Sequence, residues 1–291
     1  MSRLLIVDGH AYAYRAFHAI RELRSPGGQP TNAIYGFVKM LEKMRLAVQP
    51  THVSVVWDGG LSAERLAALP DYKAQRPEMP VALRPQLTGI VDFLAAAGIA
   101  SYCQAGVEAD DYIATLARLA AKSWNVVIAS SDKDFMQLVS ERVGLLNPND
   151  KTGVIWGRAQ VLAKTGVAPE QVSDWLALMG DAVDNIPGVP GVGPKTAADL
   201  LRQFGAVEPL LARLDEVKSE KLRQALRASA GAVVRNQKLV RLPEVPCEFV
   251  PERLLVRGGD AGALRRLFAG WGFQGMLAAL SAVDEKQAEL I

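Results

Sequence analysis

The sequence contains few of the residues that build zinc sites and disulfide frameworks. It has two cysteines, Cys103 and Cys247, and three histidines, and none of them stands at a metal-ligand spacing. Two distant cysteines are typical of reduced thiols in a cytosolic protein. No apolar run is long enough to span a membrane, and the apolar stretch before Asp8 is too short for a signal peptide. These absences predict a cytoplasmic protein with no membrane partner.

An excess of charge of one sign is also missing, since 33 basic residues face 31 acidic ones. Apolar residues make up 49% of the chain and charged residues 22%, which is typical of a globular protein. If the nine acidic residues described below share one site, 22 acidic residues remain against 33 basic ones. The resulting balance of +11 outside the site would suit binding to a phosphate backbone.

Hydrophobic patterns predict an α/β fold in the first half, with a parallel-type central sheet flanked by helices. Short apolar runs predict buried strands at 4–7, 52–57 and 125–129. Helical spacing predicts helices at 13–19, 32–46, 83–97 and 109–122. Residues 61–80 are rich in proline and charge and have no steady period, which predicts a long excursion from the sheet that is partly helical and mobile.

The second half has a different pattern, because the strand signal disappears from about Arg158 onward. Helices are predicted at 172–179, 195–204, 207–214, 216–228 and 262–280. We therefore expect residues 1–157 to form an α/β core and residues 158–291 a helical region, folded together as one cooperative unit.

Carboxylates follow each of the predicted strands. The first strand ends at Asp8, the second at Asp58, and the third leads to Asp132 and Asp134. Because the carboxyl ends of parallel strands meet at one edge of a sheet, three strands would deliver four carboxylates to that edge. Two further acidic segments supply Glu108, Asp110 and Asp111 at a helix start, and Asp181 and Asp184. For acids at a helix start, the ordinary explanation is that they complement the helix dipole.

Nine carboxylates cannot share a small volume unless cations neutralise them. With oxygen ligands only, the expected ions are Mg²⁺ or Mn²⁺. Two such ions about 4 Å apart can cleave a phosphodiester, since one activates the attacking water and the other stabilises the leaving oxygen. The sequence therefore predicts a two-ion site for phosphodiester hydrolysis.

A glycine-rich segment forms the second motif, with the sequence NIPGVPGVGPKTA at residues 185–197. Its glycines let backbone N–H groups approach a ligand, and Pro194-Lys195 begins a helix whose N-terminal amides can bind an anion. The order predicts a helix-hairpin-helix at about 184–204, which grips the DNA backbone without reading bases. The spacing differs from that of a Walker A loop, and a plain connector between helices is the alternative. The hairpin carbonyls could also hold a monovalent cation such as K⁺.

Five motifs in order resemble the bacterial 5′-nuclease family, meaning the N-terminal nuclease domain of DNA polymerase I and its stand-alone relatives. Flap endonucleases are more distant kin. The match covers about residues 3–280. The motifs are Val7-Asp8-Gly9 with Tyr14-Arg15-Ala16-Phe17-His18-Ala19, Tyr72-Lys73-Ala74-Gln75-Arg76, Glu108-Ala109-Asp110-Asp111, Ser131-Asp132-Lys133-Asp134, and Gly180-Asp181 with Asp184-Asn185-Ile186-Pro187-Gly188.

The resemblance implies a metal-dependent 5′-3′ exodeoxyribonuclease and flap endonuclease of DNA replication and repair, with branched or 5′-flap DNA as its partner. We expect a monomer associated with the nucleoid. The implied ligands of the first metal are Asp8, Asp58, Glu108, Asp110 and Asp132. Those of the second metal are Asp111, Asp134, Asp181 and Asp184. The implied catalytic residues are Lys73, Arg76, Asp132 and Asp134.

The same resemblance implies where DNA would be held. Lys73 and Arg76 would stand at the base of a helical arch at about 61–82 and contact the scissile phosphate. Tyr14 and Arg15 would line the DNA path. The duplex would be gripped by Gly188, Gly191, Gly193, Lys195 and Thr196.

Two departures from the family pattern affect the arch and one strand end. The stretch Ala63-Glu64-Arg65-Leu66 stands where Phe-Arg-His is expected and keeps only Arg65. Gly59-Gly60 follow Asp58 and could loosen that strand end. All nine acids are kept, so the departures concern substrate threading more than catalysis.

Two other functions stay open at the level of sequence. RNase H-like cleavage of RNA–DNA hybrids uses similar metal-assisted hydrolysis. A non-catalytic, structure-specific DNA-binding protein would use only the hairpin, but it would predict gaps in the carboxylate set, and there are none. Since no base-reading element is evident, we expect structure-selective rather than sequence-specific action.

Overall fold

The computed structural model describes residues 2–148 and 152–288. Its strands are β1 Arg3–Asp8, β2 His52–Trp57, β3 Ala100–Cys103, β4 Asn125–Ala129, β5 Val143–Leu146, β6 Ile155–Trp156, β7 Gly180–Asp181 and β8 Ile186–Pro187. Its α-helices are α1 Gly9–Ala19, α2 Asn32–Val48, α3 Ala63–Ala68, α4 Arg84–Ala96, α5 Ala109–Ala121, α6 Arg158–Thr165, α7 Val172–Met179, α8 Pro194–Phe204, α9 Val207–Ala212, α10 Glu220–Val240, α11 Pro251–Leu254, α12 Ala261–Trp271 and α13 Gln274–Ala288. Short 3₁₀ helices occupy Lys133–Leu138, Pro169–Gln171 and Leu214–Glu216.

The chain divides into two compact units. Unit 1 consists of Met1–Asp58, Glu78–Cys103 and Glu248–Ile291, and unit 2 of Gly59–Pro77 and Gln104–Cys247. Among the described residues, no helix is long and apolar enough to cross a bilayer.

Unit 1 is built on parallel strands, with β1 paired to β2 and β2 paired to β3. The residues of β2 are all buried, and those of β1 are buried from Leu4 onward. Such continuous burial explains why these strands have unbroken apolar runs rather than alternating patterns. Helices α1, α2 and α4 pack in the same unit and bury apolar side chains such as Phe37 and Leu94.

Unit 2 contains the second group of strands, with β4 parallel to β5 and β5 antiparallel to β6. Helix α5 packs against β4, and the 3₁₀ helix Lys133–Leu138 follows β4 directly. Helices α7 and α10 pack together, and the small antiparallel pair of β7 and β8 links α7 to the loop before α8. The acidic segments that follow β4 and α7 therefore belong to one unit.

The predicted α/β fold with mainly parallel strands and flanking helices is confirmed. Three differences have local causes. The strands β3 and β5 were not predicted, because each is only four residues long, too short for a clear hydrophobic pattern. The predicted helix 262–280 is two helices, because Gly272 adopts a left-handed φ of 77° and ends α12. The helix predicted at 216–228 begins later and extends to Val240, since Ser219 caps its first turn.

Two segments carry structure that the patterns misjudged or only partly described. The second half does contain strands, since β7 and β8 form a two-residue ladder between α7 and α8. The excursion 61–80 is partly helical as predicted, with α3 followed by turns around Asp71. Its mobility stays a prediction.

Candidate metal and phosphate site

The start of α5 presents two buried carboxylates, Glu108 and Asp111, which are 1% and 3% exposed. The side chain of Glu108 accepts hydrogen bonds from the Ser62 backbone N–H at 3.1 Å and the Tyr72 hydroxyl at 3.2 Å. It also forms ion pairs with Arg65 at 2.9 Å and with the ammonium of Lys73. Since Glu108 makes no capping bond to its own helix, the helix dipole alone does not account for it.

Arg65 holds Asp111 in a bidentate pair. Its two terminal nitrogens donate to the two carboxylate oxygens at 2.8 and 2.7 Å. Nε of the same guanidinium donates to the Leu239 carbonyl at 2.9 Å, and Nη2 to the Arg241 carbonyl at 3.1 Å. A buried cation thus joins α3, α5 and the C-terminal end of α10.

Lys73 is a second buried cation in unit 2, with its residue 5% exposed. Beyond Glu108, its ammonium lies 3.9 Å from a carboxylate oxygen of Asp110 and 3.9 Å from one of Asp184. Its backbone φ of 56° is left-handed, which is unfavourable for a residue with a side chain. This conformation is stabilised by a hydrogen bond from the Lys73 backbone N–H to the Asp184 carbonyl at 3.0 Å.

Asn185 mirrors Lys73 on the hairpin between β7 and β8. Its φ of 57° is also left-handed, and its side-chain amide donates to the Asp71 carbonyl at 2.8 Å. Lys73 and Asn185 therefore both join the 71–73 segment to the hairpin. This arrangement fixes the acidic residues of the hairpin next to Lys73.

The hairpin supplies two buried carboxylates, Asp181 and Asp184, at 6% and 7% exposure. Asp181 pairs with the ammonium of Lys133 at 2.9 Å and accepts from the Val183 backbone N–H at 3.0 Å. Asp184 pairs with Arg76 at 2.6 Å, and its other oxygen lies 3.4 Å from the Tyr72 hydroxyl. Each hairpin carboxylate thus has a basic side chain beside it.

Asp132 and Asp134 differ from the hairpin carboxylates at one atom, Oδ1 of Asp134. Asp132 caps the 3₁₀ helix after β4 by accepting from the Asp134 backbone N–H at 2.9 Å. Oδ1 of Asp134 is buried and accepts no hydrogen bond from any residue that the structure describes. A buried carboxylate oxygen without a donor is costly unless a cation neutralises it.

The pKa shifts follow these partners. Burial alone would raise the pKa of Glu108, but Lys73 and Arg65 outweigh it, so the net pKa lies below the usual value. Burial raises the pKa of Asp134 well above the usual value, and the neighbouring carboxylate of Asp132 raises it further. Burial likewise raises the pKa of Asp132. Burial also raises the pKa of Asp111, although its pair with Arg65 opposes the shift. The difference between the two regions is therefore one of partners: Glu108 and Asp111 have cations beside them, whereas Asp134 is repelled by Asp132.

These carboxylates fit hard divalent cations by chemistry, because they offer oxygen atoms only. They include Oδ1 of Asp134, which no described residue reaches with a hydrogen bond. Yet within residues 2–148 and 152–288, no three acidic, histidine or cysteine side chains are arranged as a metal cage as they stand. Instead, Lys73 lies against Glu108 and Lys133 against Asp181. Metal ligation would require these ammonium groups to exchange partners.

Unit 1 carries the two remaining predicted ligands. Asp8 ends β1 and caps α1, its Oδ1 accepting from the Ala11 backbone N–H at 3.0 Å. The backbone N–H of Asp58, just after β2, donates to Nδ1 of His10 at 3.1 Å. The predicted DNA-path residues Tyr14 and Arg15 lie on α1, where Arg15 is exposed.

The glycine-rich loop leaves the N-terminus of α8 open. Gly191, Gly193 and Lys195 are exposed, and Thr196 is half-buried. Gly191 adopts a φ of 80°, which favours glycine. Gly188 has a different reason to be glycine, since a Cβ there would lie 2.1 Å from the Met179 carbonyl oxygen. The loop is held by apolar contacts of Val189 and Val192, both buried.

Of the predicted residues, the structure brings together Lys73, Arg76 and the acids of unit 2 through pairwise contacts. Sequence reasoning did not assign roles to Tyr72, Lys133 or the guanidinium of Arg65, which contact these acids directly. Tyr72 and Lys133 lie inside quoted motifs, so their position beside Lys73 and Asp132 was the available signal. The Arg65 contacts join residues 46 and 174 positions apart, and no local pattern indicates them.

Two family models match the chain consecutively. The model described as "5′-3′ exonuclease, N-terminal resolvase-like domain" covers residues 3–166, and "5′-3′ exonuclease, C-terminal SAM fold" covers residues 167–261. The chain is 39% identical over 269 residues to the 5′-3′ exonuclease of Aquifex aeolicus, with 91% of each chain covered. It is 38% identical to DNA polymerase I of Bacillus caldotenax over 98% of this chain, but it spans only 33% of that polymerase.

Solved structures are similar over most of the chain. The bacteriophage T5 5′-exonuclease with bound zinc has a TM-score of 0.69 and 29% identity, covering 83% of this chain and 90% of that one. The T5 flap endonuclease in a complex with DNA and metal ions has a TM-score of 0.69 and 26% identity, covering 99% of both chains. The catalytic core of Rad2, at 18% identity and a TM-score of 0.66 with 96% and 92% covered, shares the fold. The chain belongs to the 5′-3′ exonuclease family, as its five motifs predicted.

Proposed function

We propose that this chain is a structure-selective, divalent-metal-dependent 5′ nuclease that hydrolyses phosphodiester bonds near 5′ ends and flaps of branched DNA, in replication and repair. The observation that carries the proposal is the pair Asp132 and Asp134. These carboxylates repel each other, and the buried Oδ1 of Asp134 has no hydrogen-bond donor in the part of the chain that the structure describes. The relatives named above add support, since they include a 5′-3′ exonuclease and a flap endonuclease in complex with DNA and metal ions.

We propose that the carboxylates of unit 2 hold Mg²⁺ or Mn²⁺, with Asp132, Asp134, Asp181 and Asp184 as the principal ligands and Asp110 beside them. Hard divalent cations prefer such oxygen donors. Two bound ions would lower the pKa of the attacking water and stabilise the leaving oxygen. Glu108 would join when Lys73 leaves it, and the metal roles of Asp8 and Asp58 stay predictions.

Lys73 and Arg76 would bind the scissile phosphate. Both side chains already lie beside carboxylates, and Arg76 is 40% exposed at its side chain. An incoming phosphate would replace carboxylate oxygens as their partner, while metal ions would replace the basic groups on the carboxylates. This exchange keeps every charge paired, which a buried site requires. Positive charge held there stabilises negative charge that develops on the phosphoryl oxygens.

The open N-terminus of α8 supports a phosphate grip by the predicted helix-hairpin-helix. The exposed amides of the loop and Lys195 suit an anion at a helix start. A groove of about 490 Å³ beside the loop is lined by residues including Thr196 and Lys221. Residues 1–157 would thus form the nuclease core, to which Asp181 and Asp184 add ligands, while residues 158–291 bind duplex. K⁺ is a candidate ion of the hairpin carbonyls. We expect a monomer that acts on DNA in the cytoplasm, associated with the nucleoid.

The test is cleavage of a 5′-labelled flap duplex in Mg²⁺, with and without EDTA. Wild type should cut near the junction only with metal, and Asp132→Asn/Asp134→Asn should reduce the rate at least about a thousandfold, because the metal charges lose their ligands. Asp92→Asn/Asp215→Asn removes two exposed carboxylates and serves as the matched control. An RNA–DNA hybrid arm tests the RNase H-like alternative. Binding of the flap without cutting in Mg²⁺ or Mn²⁺ would overturn the catalytic proposal.

A further inference from the structure

Arg65 is a buried cation that the proposed phosphate chemistry does not use. Its residue is 6% exposed, and its guanidinium contacts two carboxylates and two backbone carbonyls. The ammonium of Lys73, by comparison, contacts carboxylates and the ring of Tyr72. A phosphate or a metal ion could take over the role of either member in a carboxylate–ammonium pair. A phosphate could not replace a guanidinium that donates to a fixed backbone carbonyl, because phosphate and carbonyl oxygens are both acceptors.

The two carbonyls that Arg65 binds lie at the C-terminal end of α10. The last carbonyls of a helix have no partner within the helix, so a side-chain donor that reaches them completes its C-terminus. Leu239 lies in the last turn, and Arg241 follows the final residue Val240. Arg65 therefore caps α10 from α3, a helix far away in sequence.

The spacing of acids on α5 selects which of them meet Arg65. Glu108 and Asp111 are three residues apart and lie on one side of the helix start, where both contact Arg65. Asp110 lies at a different angle and approaches Lys73 instead, at 3.9 Å. Both oxygens of Asp111 are occupied by the bidentate pair, and the residue is 3% exposed. A metal ion at Asp111 would have to break a pair that also holds the end of α10.

We propose that Asp111 is an anchor for Arg65 rather than a metal ligand, and that Arg65 is a positioning residue that ties the base of the arch to α5 and α10. The anchor fixes the chain between Ser62 and Lys73, and so it sets the position of the side chains expected to meet the scissile phosphate. The role in cutting rests on the proposed nuclease function. The assignment of Asp111 as an anchor does not.

The anchor is tested by a double-mutant cycle in EDTA, using urea unfolding of wild type, Arg65→Met, Asp111→Asn and the double variant. Each single change should lower the folding equilibrium constant at least about a hundredfold, because it leaves a buried charge or donor unpaired. The folding equilibrium constant of the double variant should be at most about tenfold below that of the milder single variant, because the double variant removes both partners together. Effects that simply multiply would overturn the pairing. If Arg65→Met does not fold, Arg65→Lys replaces it, because one ammonium cannot form the bidentate pair.

Metal binding is tested separately by calorimetric titration of each protein with Mn²⁺ alone. Asp111→Asn should bind Mn²⁺ within about twofold of wild type, whereas Asp134→Asn should bind at least about tenfold more weakly. Equal losses in both variants would make Asp111 a ligand and overturn the proposal.

The positioning role is tested on the flap duplex by sequencing the products of Arg65→Lys. Cuts should spread over neighbouring phosphates, a result that mere loss of stability does not produce. An unchanged cut position in Arg65→Lys would overturn the positioning role. If wild type cuts no flap, the nuclease proposal fails, while the unfolding cycle and the Mn²⁺ titration still decide the anchor.

Discussion

Unit 2 contains two acidic regions that solve the same electrostatic problem in opposite ways. At the start of α5, Glu108 and Asp111 face the buried cations Lys73 and Arg65. After β4, Asp132 and Asp134 face each other, and one oxygen has no donor among the described residues. The first region has a cation beside each of these two carboxylates, whereas in our proposal the second receives its positive charge from a bound metal ion. Acidic residues in a cleft therefore differ in function according to which cations the fold already supplies.

The pKa directions of Glu108 and Asp134 express the same contrast, although burial also raises the pKa of Asp111. The net pKa of Glu108 is lowered, because Lys73 and Arg65 overcome its burial. Burial and repulsion raise the pKa of Asp134 well above its usual value. A raised carboxylate pKa means that the folded state pays for its negative charge in stability. The second region thus stores unfavourable electrostatic energy that a divalent cation would release.

The largest expected effect comes from removing a cation of the first region. Lys73→Met should lower the free energy of unfolding in EDTA by about 3–5 kcal/mol, since Glu108 is left buried without its ammonium partner. Methionine keeps the side-chain length and has a Cβ like lysine, so the cost of the left-handed φ stays similar. Urea unfolding measures the change.

The control for Lys73→Met is Lys39→Met, which removes an exposed pair with Glu42 on a helix surface. That change should cost no more than about 0.5 kcal/mol. If both variants lose equal stability, the buried ion pairs of Lys73 contribute no more than an exposed pair. The proposed difference between the two acidic regions would then be wrong for the region around Glu108.

The second prediction is a gain in stability rather than a loss. Asp134→Asn should raise the stability of the metal-free protein by about 1–2 kcal/mol, because it removes a buried charge that repels Asp132. Glu108→Gln should lower stability in the same buffer, since it leaves Lys73 and Arg65 without their shared partner. Thermal unfolding in EDTA measures both.

Adding Mg²⁺ completes this test. Wild type should gain stability with rising Mg²⁺, as any ligand that binds only the folded state requires. Asp134→Asn should lose most of that gain. A destabilised Asp134→Asn in EDTA would show that its carboxylate is satisfied without metal, contrary to the structure.

Local sequence patterns could predict the position of the acids but not their partners. Asp132 and Asp134 follow a buried apolar run, and strand-end placement is a local property that the topology of parallel sheets makes informative. The bond from Arg65 to Leu239 joins residues 174 positions apart. Such a contact depends on how α3 and α10 pack, which no periodicity contains. The strained φ of Lys73 was equally invisible, since it rests on the Asp184 carbonyl of a distant hairpin.

Unit 1 contains a third arrangement, in which the backbone of Asp58 at the end of β2 is held by the neutral imidazole of His10. Nδ1 of His10 accepts the hydrogen bond from the Asp58 N–H, and only an unprotonated Nδ1 can accept. The ring also lies edge-on against Trp57, with centroids 5.4 Å apart. Burial lowers the pKa of His10, although the nearby Asp58 carboxylate opposes that shift. A neutral contact should stabilise less than the ion pairs of unit 2.

The smallest expected effect is therefore a pH dependence from His10. Below about pH 6.5 the unfolded chain binds a proton that the folded ring resists, so stability should fall as pH falls toward the folded pKa and be fully present above 6.5. The loss should be smaller than the changes predicted for the charged groups of unit 2, because the Asp58 carboxylate opposes the effect of burial on the pKa of His10. His10→Asn keeps an acceptor for the Asp58 N–H and should flatten this part of the slope between pH 5.5 and 8 in EDTA. His52→Asn is the matched control, because burial also lowers the pKa of His52. That variant should keep the part of the pH dependence that comes from His10. An unchanged slope in His10→Asn would mean that the pKa of the ring is the same in the folded and unfolded states, contrary to its burial in the structure.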